Sequence, residues 1–265
     1  MLENAFEYMQ QRLNGFMPDT AVILGSGLGL LTAELENPIV IPYHDVPNFP
    51  QTTVAGHKGC FYAGKIGKHN VLFLQGRFHL YEGLAPNIIA EIVAMLKKLG
   101  VKQMLITNAA GSLRLDMPPG SLMLIEDHIN FSGRNPLIGF TAIPSFVDMS
   151  AAYDIELRRK MQNIAERNNI KLYKGVYIMV LGPNYETPSE IKLFKNFGAD
   201  AVGMSTVPEV LAAVQQGIKV LGISSISNYG TGLTDKPQNH EDVMITVAES
   251  IETLSFLIRR FLEEE

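Results

Sequence analysis

The sequence predicts an α/β fold: a twisted, mixed β-sheet flanked by helices. Three observations lead there. Short β-like apolar runs alternate with longer stretches of helical periodicity. No internal repeat, low-complexity tract or linker divides the 265 residues, so residues 1–265 read as one domain. Apolar residues make up 46% and charged residues 18%, which supplies a sizeable core and excludes a disordered chain.

The first strand is expected at residues 22–24, running into Gly25-Ser26-Gly27-Leu28-Gly29. A glycine-rich turn after a strand offers backbone N–H groups to a phosphate, here with Ser26 as a hydroxyl donor. The dinucleotide fingerprint fails at Leu30 and the P-loop's Gly-Lys-Ser/Thr ending is missing, so neither NAD nor ATP is indicated. A tight turn packed on the sheet would use the same residues. Farther on, His57 stands between Gly56 and Lys58-Gly59, where a ligand can approach closely and where an exposed turn histidine also fits.

A second strand is expected at 71–74. It leads into Gln75-Gly76-Arg77-Phe78-His79-Leu80-Tyr81-Glu82-Gly83. A permanent cation, an imidazole, a phenol and a carboxylate are poor core material. They suit the rim of a site for a polar anion and a sugar-like ligand, and ligands of open α/β sheets bind beyond the carboxyl ends of strands. A helix over 86–99 follows, with Pro86 at its start, Ile88, Ile92, Met95, Leu96 and Leu99 on one face, and Gly100 as its stop.

The strand at 104–107 ends in Asn108-Ala109-Ala110-Gly111-Ser112. Small side chains let a ligand lie against the backbone, with the Ala109 N–H as donor; close packing of a strand end explains them as well. A strand at 121–125, a charged amphipathic helix at 153–168 and a strand at 175–180 come next. Gly182-Pro183-Asn184-Tyr185-Glu186 then meets the capping box Thr187-Pro188-Ser189-Glu190. Tyr185 offers a flat face and Glu186 an acceptor, a pair suited to a planar heterocycle carrying an N–H; an acid near a helix N-terminus is also favoured by the macrodipole. Thr206-Val207-Pro208-Glu209 repeats the box before a helix at 210–216, with Met204 and Ser205 just ahead of it. The strand at 220–226 ends in Ser227-Asn228-Tyr229-Gly230. His240 opens a last helix, 240–262.

The net charge of −5, with no basic block, excludes nucleic acid and anionic membrane as expected partners. The single cysteine, Cys60, excludes an intrachain disulfide and a thiolate metal cluster. No metal-binding spacing and no G-x-S-x-G elbow occurs. The acidic opening Met1-Leu2-Glu3-Asn4 does not resemble a signal peptide, and no apolar run reaches transmembrane length, so a cytoplasmic protein is expected.

Taken together, these segments resemble the trimeric, low-molecular-mass purine nucleoside phosphorylases over nearly the whole chain. The resemblance rests on Gly25-Ser26-Gly27-Leu28-Gly29, Gly56-His57, residues 75–83, Thr107-Asn108-Ala109-Ala110-Gly111, residues 182–187 and Gly203-Met204-Ser205-Thr206-Val207-Pro208-Glu209. The Arg-Phe-His-x-Tyr-Glu-Gly and Met-Ser-Thr-x-Pro-Glu runs are specific; the glycine loop is not. It implies that family's fold, a homotrimer, and phosphorolysis: a 6-oxopurine nucleoside such as inosine or guanosine, plus phosphate, gives free base and ribose 1-phosphate in purine salvage. It implies no metal and no cofactor, with inorganic phosphate as co-substrate. Carried over, Ser26, Arg77, His79, the Ala109 backbone and Ser205 hold phosphate, with His57 beside it. Tyr81 and Met204 hold the ribose and His240 reaches its 5′-hydroxyl. Tyr185 covers the base, Glu186 accepts from N1–H, and Asn228 bonds N7 and O6.

The sequence departs from the family at Ala55, where proline is common, and at Tyr185, where phenylalanine is common. The stretch 139–146 is shorter than in relatives. It supplies an aromatic to the neighbouring subunit's site in the family, and Phe140 and Phe146 are its candidates. Residues 230–239 also differ. Methylthioadenosine phosphorylases are the near alternative, but they place aspartate where Asn228 stands and lack the Arg77-Phe78-His79 form. A non-catalytic nucleoside- or phosphate-binding protein on the same scaffold is the distant one.

Overall fold

The computed structural model describes residues 2–25, 28–35, 37–52, 58–140, 146–234 and 240–264. The side chains of 28, 30, 34 and 240–249 lie outside that description. Strands β1 (Thr20–Ile23), β2 (Ile39–Pro42), β3 (Cys60–Ile66), β4 (His69–Gln75), β5 (Gln103–Ser112), β6 (Leu122–Asn130), β7 (Leu172–Met179), β8 (Ala201–Gly203) and β9 (Lys219–Tyr229) form one mixed sheet. Helices α1 (Glu3–Leu13), α2 (Pro86–Lys98), α3 (Ile155–Arg167), α4 (Pro188–Asn196), α5 (Val207–Gln215) and α6 (His240–Glu263) flank it.

Strand β5 organises the sheet. It runs parallel to β1 along Gln103–Ile106 and parallel to β9 along its whole length. Beyond Ile106 the β1 edge ends, and at Gly111 and Ser112 the antiparallel β8 takes that edge over. From β9 the ladder continues antiparallel to β6, then parallel to β7 and parallel to β8. Strands β5, β9, β6, β7 and β8 therefore close a circuit, which removes the free edges between them. Strands β1, β4, β3 and β2 extend from β5 as an open wing.

Burial follows the layering. One apolar face packs under α1, α2 and α5, through residues such as Met9, Ile89, Val93, Leu96 and Val210. The other packs under α3 and α6, with Met161, Ile164, Leu257 and Phe261 against Phe73, Leu105 and Leu221. Helix α4 has its own small core, Ile191 and Phe194 against Leu113, Ile178 and Val202.

The α/β class and the strands and helices expected from the sequence are present. Among the described residues, α1, β2, β3 and β8 are additional to the strands and helices expected, as are three short 3₁₀ turns. In β2 only Ile41 is fully buried and Pro42 ends the strand, so its sequence carries no clean alternation. Strand β8 has three residues, too few for a periodic signal. The Thr187 capping box forms as predicted: Glu190 N–H donates to the Thr187 hydroxyl at 3.2 Å, and the Glu190 carboxylate accepts from Thr187 N–H at 2.7 Å. The second box does not. Thr206 makes no capping hydrogen bond, because Glu209 and the Thr206 hydroxyl are taken by other partners.

At the opposite end of the sheet from these loops, Asp19 ties three strands together. Its carboxylate accepts from the Thr20 hydroxyl at 2.6 Å and from Asn70 N–H at 2.8 Å, and meets His69 Nδ1 at 2.7 Å. The Thr20 hydroxyl in turn accepts from the Gln103 amide at 2.9 Å. Burial pushes the Asp19 carboxyl up, but the hydrogen bonds from Thr20, Asn70 and His69 outweigh it and leave the group below its ordinary value. A carboxylate lowered by folding stabilises the protein above its unfolded value of about 4, and that contribution disappears as pH falls through the folded value. Replacing Asp19 with Asn is therefore expected to lower stability at neutral pH and to flatten its decline below about pH 4. Urea unfolding across pH checks this; equal acid slopes for both proteins would refute it.

Candidate active site

The carboxyl end of β4 delivers Arg77 into the interior, where its side chain is 3% exposed. A guanidinium cannot shed its charge, so it must be paired where it lies. Arg77 Nε donates to the Glu209 carboxylate at 2.9 Å, and Arg77 Nη1 donates to the Ser205 hydroxyl at 3.1 Å. Glu209 lies in the first turn of α5, where a negative charge is favoured, and is itself buried. Phe78, the next residue, enters an aromatic cluster with Tyr43 and Phe49, which anchors this stretch of chain.

His79 and Tyr81 follow in one short turn. Their rings stack at 4.7 Å and 13°. The Glu82 carboxylate accepts from His79 N–H at 2.8 Å and lies 3.2 Å from His79 Nδ1. Glu82 thus fixes the imidazole's orientation, with the Nδ1 proton directed at the carboxylate. Burial raises the Tyr81 hydroxyl pKa, Glu82 and Tyr185 raise it further, and Arg77 opposes them.

Strand β5 contributes three successive residues. The Thr107 hydroxyl accepts from Gly25 N–H at 2.8 Å and donates to the Ile23 carbonyl at 3.0 Å, fixing the entry to the glycine-rich turn. Asn108 is buried and its amide donates to the Thr206 hydroxyl at 2.8 Å. Ala109 is half-buried and pairs with Ser225 of β9. A register shift after Ala110 then sets Gly111 opposite Asn228. A Cβ at Gly111 would stand 3.2 Å from the Asn228 amide nitrogen, so glycine leaves room for that side chain. The Ser227 hydroxyl donates to Asn228 Oδ1 at 2.6 Å, and Asn228 Nδ2 donates to the Tyr229 carbonyl at 2.9 Å.

The loop between β7 and α4 closes the far side. At Gly182, φ is +73° and an added Cβ would lie 2.3 Å from the Met204 sulfur, so Met204 packs directly against this backbone. Tyr185 is 37% exposed, whereas Glu186 is 8% exposed. Burial raises the Glu186 carboxyl, and the nearby Glu190 charge adds to the rise; a backbone hydrogen bond only partly opposes them.

The structure thus joins Arg77 directly to Ser205, stacks His79 on Tyr81, and packs Met204 against the loop that carries Tyr185 and Glu186. Asn228 is half-buried beside Gly111. Ser26 and His57 lie outside the described residues, as does the side chain of His240. Of the two aromatic candidates, Phe140 packs against the chain's own core near Leu2, Phe6 and Met95, while Phe146 is fully exposed. The sequence assigns no site role to Glu209, Asn108 or Thr206: Thr206 and Glu209 carry only a helix-cap signal, and Glu82 is read within the site-rim run with no contact assigned to it.

The sequence profile of the phosphorylase superfamily matches residues 19–263. The chain is 47% identical over 248 residues to purine nucleoside phosphorylase 1 of Bacillus subtilis, covering 92% of this chain and 90% of that one. It superimposes on the crystal structure of Schistosoma mansoni purine nucleoside phosphorylase in complex with inosine with a TM-score of 0.89 at 34% identity, covering 100% and 96% of the two chains. A purine nucleoside phosphorylase in complex with ribose 1-phosphate gives a TM-score of 0.86 at 34% identity, with the same coverage.

Proposed function

This chain belongs to the phosphorylase superfamily, alongside its purine nucleoside phosphorylases, and on that premise we propose that it cleaves 6-oxopurine nucleosides with inorganic phosphate. Inosine or guanosine, or the corresponding deoxyribonucleoside, gives the free base and the pentose 1-phosphate. The C1′–N9 bond breaks, a phosphate oxygen bonds C1′, and the departing purine takes up a proton. The whole chain serves this one reaction, in a cytoplasmic purine-salvage role with phosphate as co-substrate. Among the described residues no helix is long and apolar enough to cross a membrane.

The observation that carries the reading is the buried Arg77–Ser205 contact at the strand ends that also bear Asn228. In the proposed site Ser26, Arg77, His79, the Ala109 N–H and Ser205 hold phosphate, with His57 beside it. Tyr81 and Met204 flank the ribose and His240 reaches its 5′-hydroxyl. Tyr185 covers the base, Glu186 accepts from N1–H, and Asn228 spans N7 and O6. Glycosidic cleavage passes through an oxocarbenium-like state, positive on the sugar and negative on the leaving base. A phosphate dianion faces the first charge. The amide of Asn228 and the acceptor on Glu186 stabilise the second, as donors do in an oxyanion hole.

The assembly follows from the same premise: a homotrimer in which the exposed Phe146 reaches a neighbouring copy's site. Sedimentation equilibrium is expected to give three times the 29.2 kDa chain mass. An active monomer would contradict the trimer.

Base release from inosine, guanosine, adenosine and methylthioadenosine, each with and without phosphate, tests the reaction. Phosphate-dependent release confined to the 6-oxo nucleosides is expected. Asn228→Ala should slow turnover about 100-fold, since a donor of this kind contributes about 3 kcal/mol in the transition state. Unchanged turnover would remove Asn228 from the mechanism, and release without phosphate would make the protein a hydrolase.

Glu186 sets the acid limb. It accepts from N1–H as a carboxylate, and burial has raised it, so kcat/KM for inosine should fall as pH drops through a value above the ordinary glutamate value of about 4.3. Glu186→Gln should reduce kcat/KM by about 10- to 100-fold and abolish that limb. A Gln variant that keeps the wild-type acid limb would reassign it to another group.

A further inference from the structure

We infer that Asn108 and Thr206 form a positioning pair that turns the Ser205 hydroxyl into a donor aimed at phosphate. The inference rests on the phosphate role proposed for Ser205 and Arg77.

It starts from a strained backbone. Thr206 has φ +77° and ψ −52°, and Val207 N–H donates to the Ser205 carbonyl at 2.9 Å. That is a three-residue γ-turn of the rare, strained hand, centred on a β-branched residue. Glycine would hold this conformation with less strain. Threonine is therefore retained for something its side chain supplies. The side chain is fully buried, so the hydroxyl must act within the protein.

The hydrogen bonds say what it does. The Asn108 amide donates to Thr206 Oγ1 at 2.8 Å. Thr206 Oγ1 lies 3.2 Å from Ser205 Oγ, and Ser205 Oγ accepts from Arg77 Nη1 at 3.1 Å. An amide N–H occupies one lone pair of the threonine oxygen, and once the Ser205 proton is given to phosphate the threonine proton is the one that lies along the Thr206–Ser205 contact. Ser205 Oγ then accepts from both Thr206 and Arg77. Its two lone pairs are used, and its only remaining capacity is to donate. Donors arranged in such a chain strengthen one another. Ser205 is held on a second side by the buried Tyr177, whose hydroxyl accepts from Ser205 N–H at 3.3 Å and also lies within reach of the Ser205 hydroxyl, so phosphate takes the serine proton in competition with Tyr177. Asn108 Oδ1 is buried with no hydrogen-bond partner among the described residues, so the amide makes this one donation at the expense of its own acceptor.

Thr206→Val keeps the shape and removes the hydroxyl; Thr206→Ser keeps the hydroxyl. Calorimetry with inorganic phosphate, together with KM for phosphate and for inosine, separates the possibilities. Thr206→Val is expected to weaken phosphate binding about tenfold, as for one buried hydrogen bond, with KM for inosine unchanged. Thr206→Ser should bind phosphate within about twofold of wild type. Asn108→Ala should weaken phosphate about as much as Thr206→Val, and the double variant should be no worse than either, since the two act as one unit. If Thr206→Val does not fold, Asn108→Ala with its KM split carries the test. Wild-type phosphate affinity in both variants, or equal losses in Thr206→Val and Thr206→Ser, would overturn the pair. Ser205→Ala distinguishes the levels. If it leaves phosphate binding intact, the phosphate assignment itself falls, and the inference with it. If it weakens phosphate while Thr206→Val and Asn108→Ala do not, only the positioning pair is lost.

Discussion

The buried contact between Arg77 and Glu209 is the constraint on which the rest of the site depends. The two residues are 132 positions apart, and both side chains are almost fully withdrawn from water. Removing either would strand a charge in the interior, at a cost of about 3–5 kcal/mol. The carboxyl end of β4 and the amino end of α5 are thereby compelled to meet. Glu209 takes the Nε side of the guanidinium, which leaves the Nη side facing Ser205. One interaction therefore neutralises the cation and sets the direction in which its other donors point.

That meeting is possible only because β5 changes partners along its length. Near its start it is flanked by β1, which follows the register of β4; near its end it is flanked by β8, which leads directly into Met204, Ser205 and α5. The strand ends from the open wing and from the closed circuit are thus gathered on one rim. The small residues at the end of β5 serve this arrangement in two ways. Gly111 yields space to Asn228, and Asn108 reaches Thr206 across the rim. A bulky residue at Gly111 would displace the Asn228 side chain, and loss of the Asn108 amide would release Thr206.

Much of this was legible in the chain. The run from Gln75 to Gly83 announced a site because its residue types are costly in a core, and the structure places Arg77, His79 and Tyr81 together at a strand end. The Thr187 box announced α4 because its hydroxyl, proline and glutamate stand at cap positions, and among the described residues no buried partner competes for them there. What stayed hidden was non-local. Closure of the five-strand circuit depends on β8, whose three residues have no periodicity to read. The roles of Asn108 and Glu209 depend on which side chains lie opposite them, and spacing along the chain does not encode that. The Thr206 box shows the limit well. Its residues match the helix-cap pattern as closely as those at Thr187, yet a buried arginine outbids the backbone for the glutamate, and the turn takes a conformation that propensity alone would assign to glycine.

The two buried glutamates on the rim show how one residue type is given two tasks. Glu209 lies against a permanent cation, and its charge is spent holding Arg77. Glu186 lies in a loop where burial and the neighbouring Glu190 both act against ionisation, so its carboxylate gains from an approaching donor more than an exposed one would. In the reaction proposed above a purine N1–H is such a donor, and an acceptor desolvated in advance penalises any base that fails to supply one. The same low-dielectric surroundings that make Arg77 intolerant of an absent partner make a Glu186 carboxylate costly until a donor reaches it. Both effects arise from a single physical source, the withdrawal of charged groups from water, answered at Glu209 by a permanent cation and at Glu186 only in part by a backbone hydrogen bond.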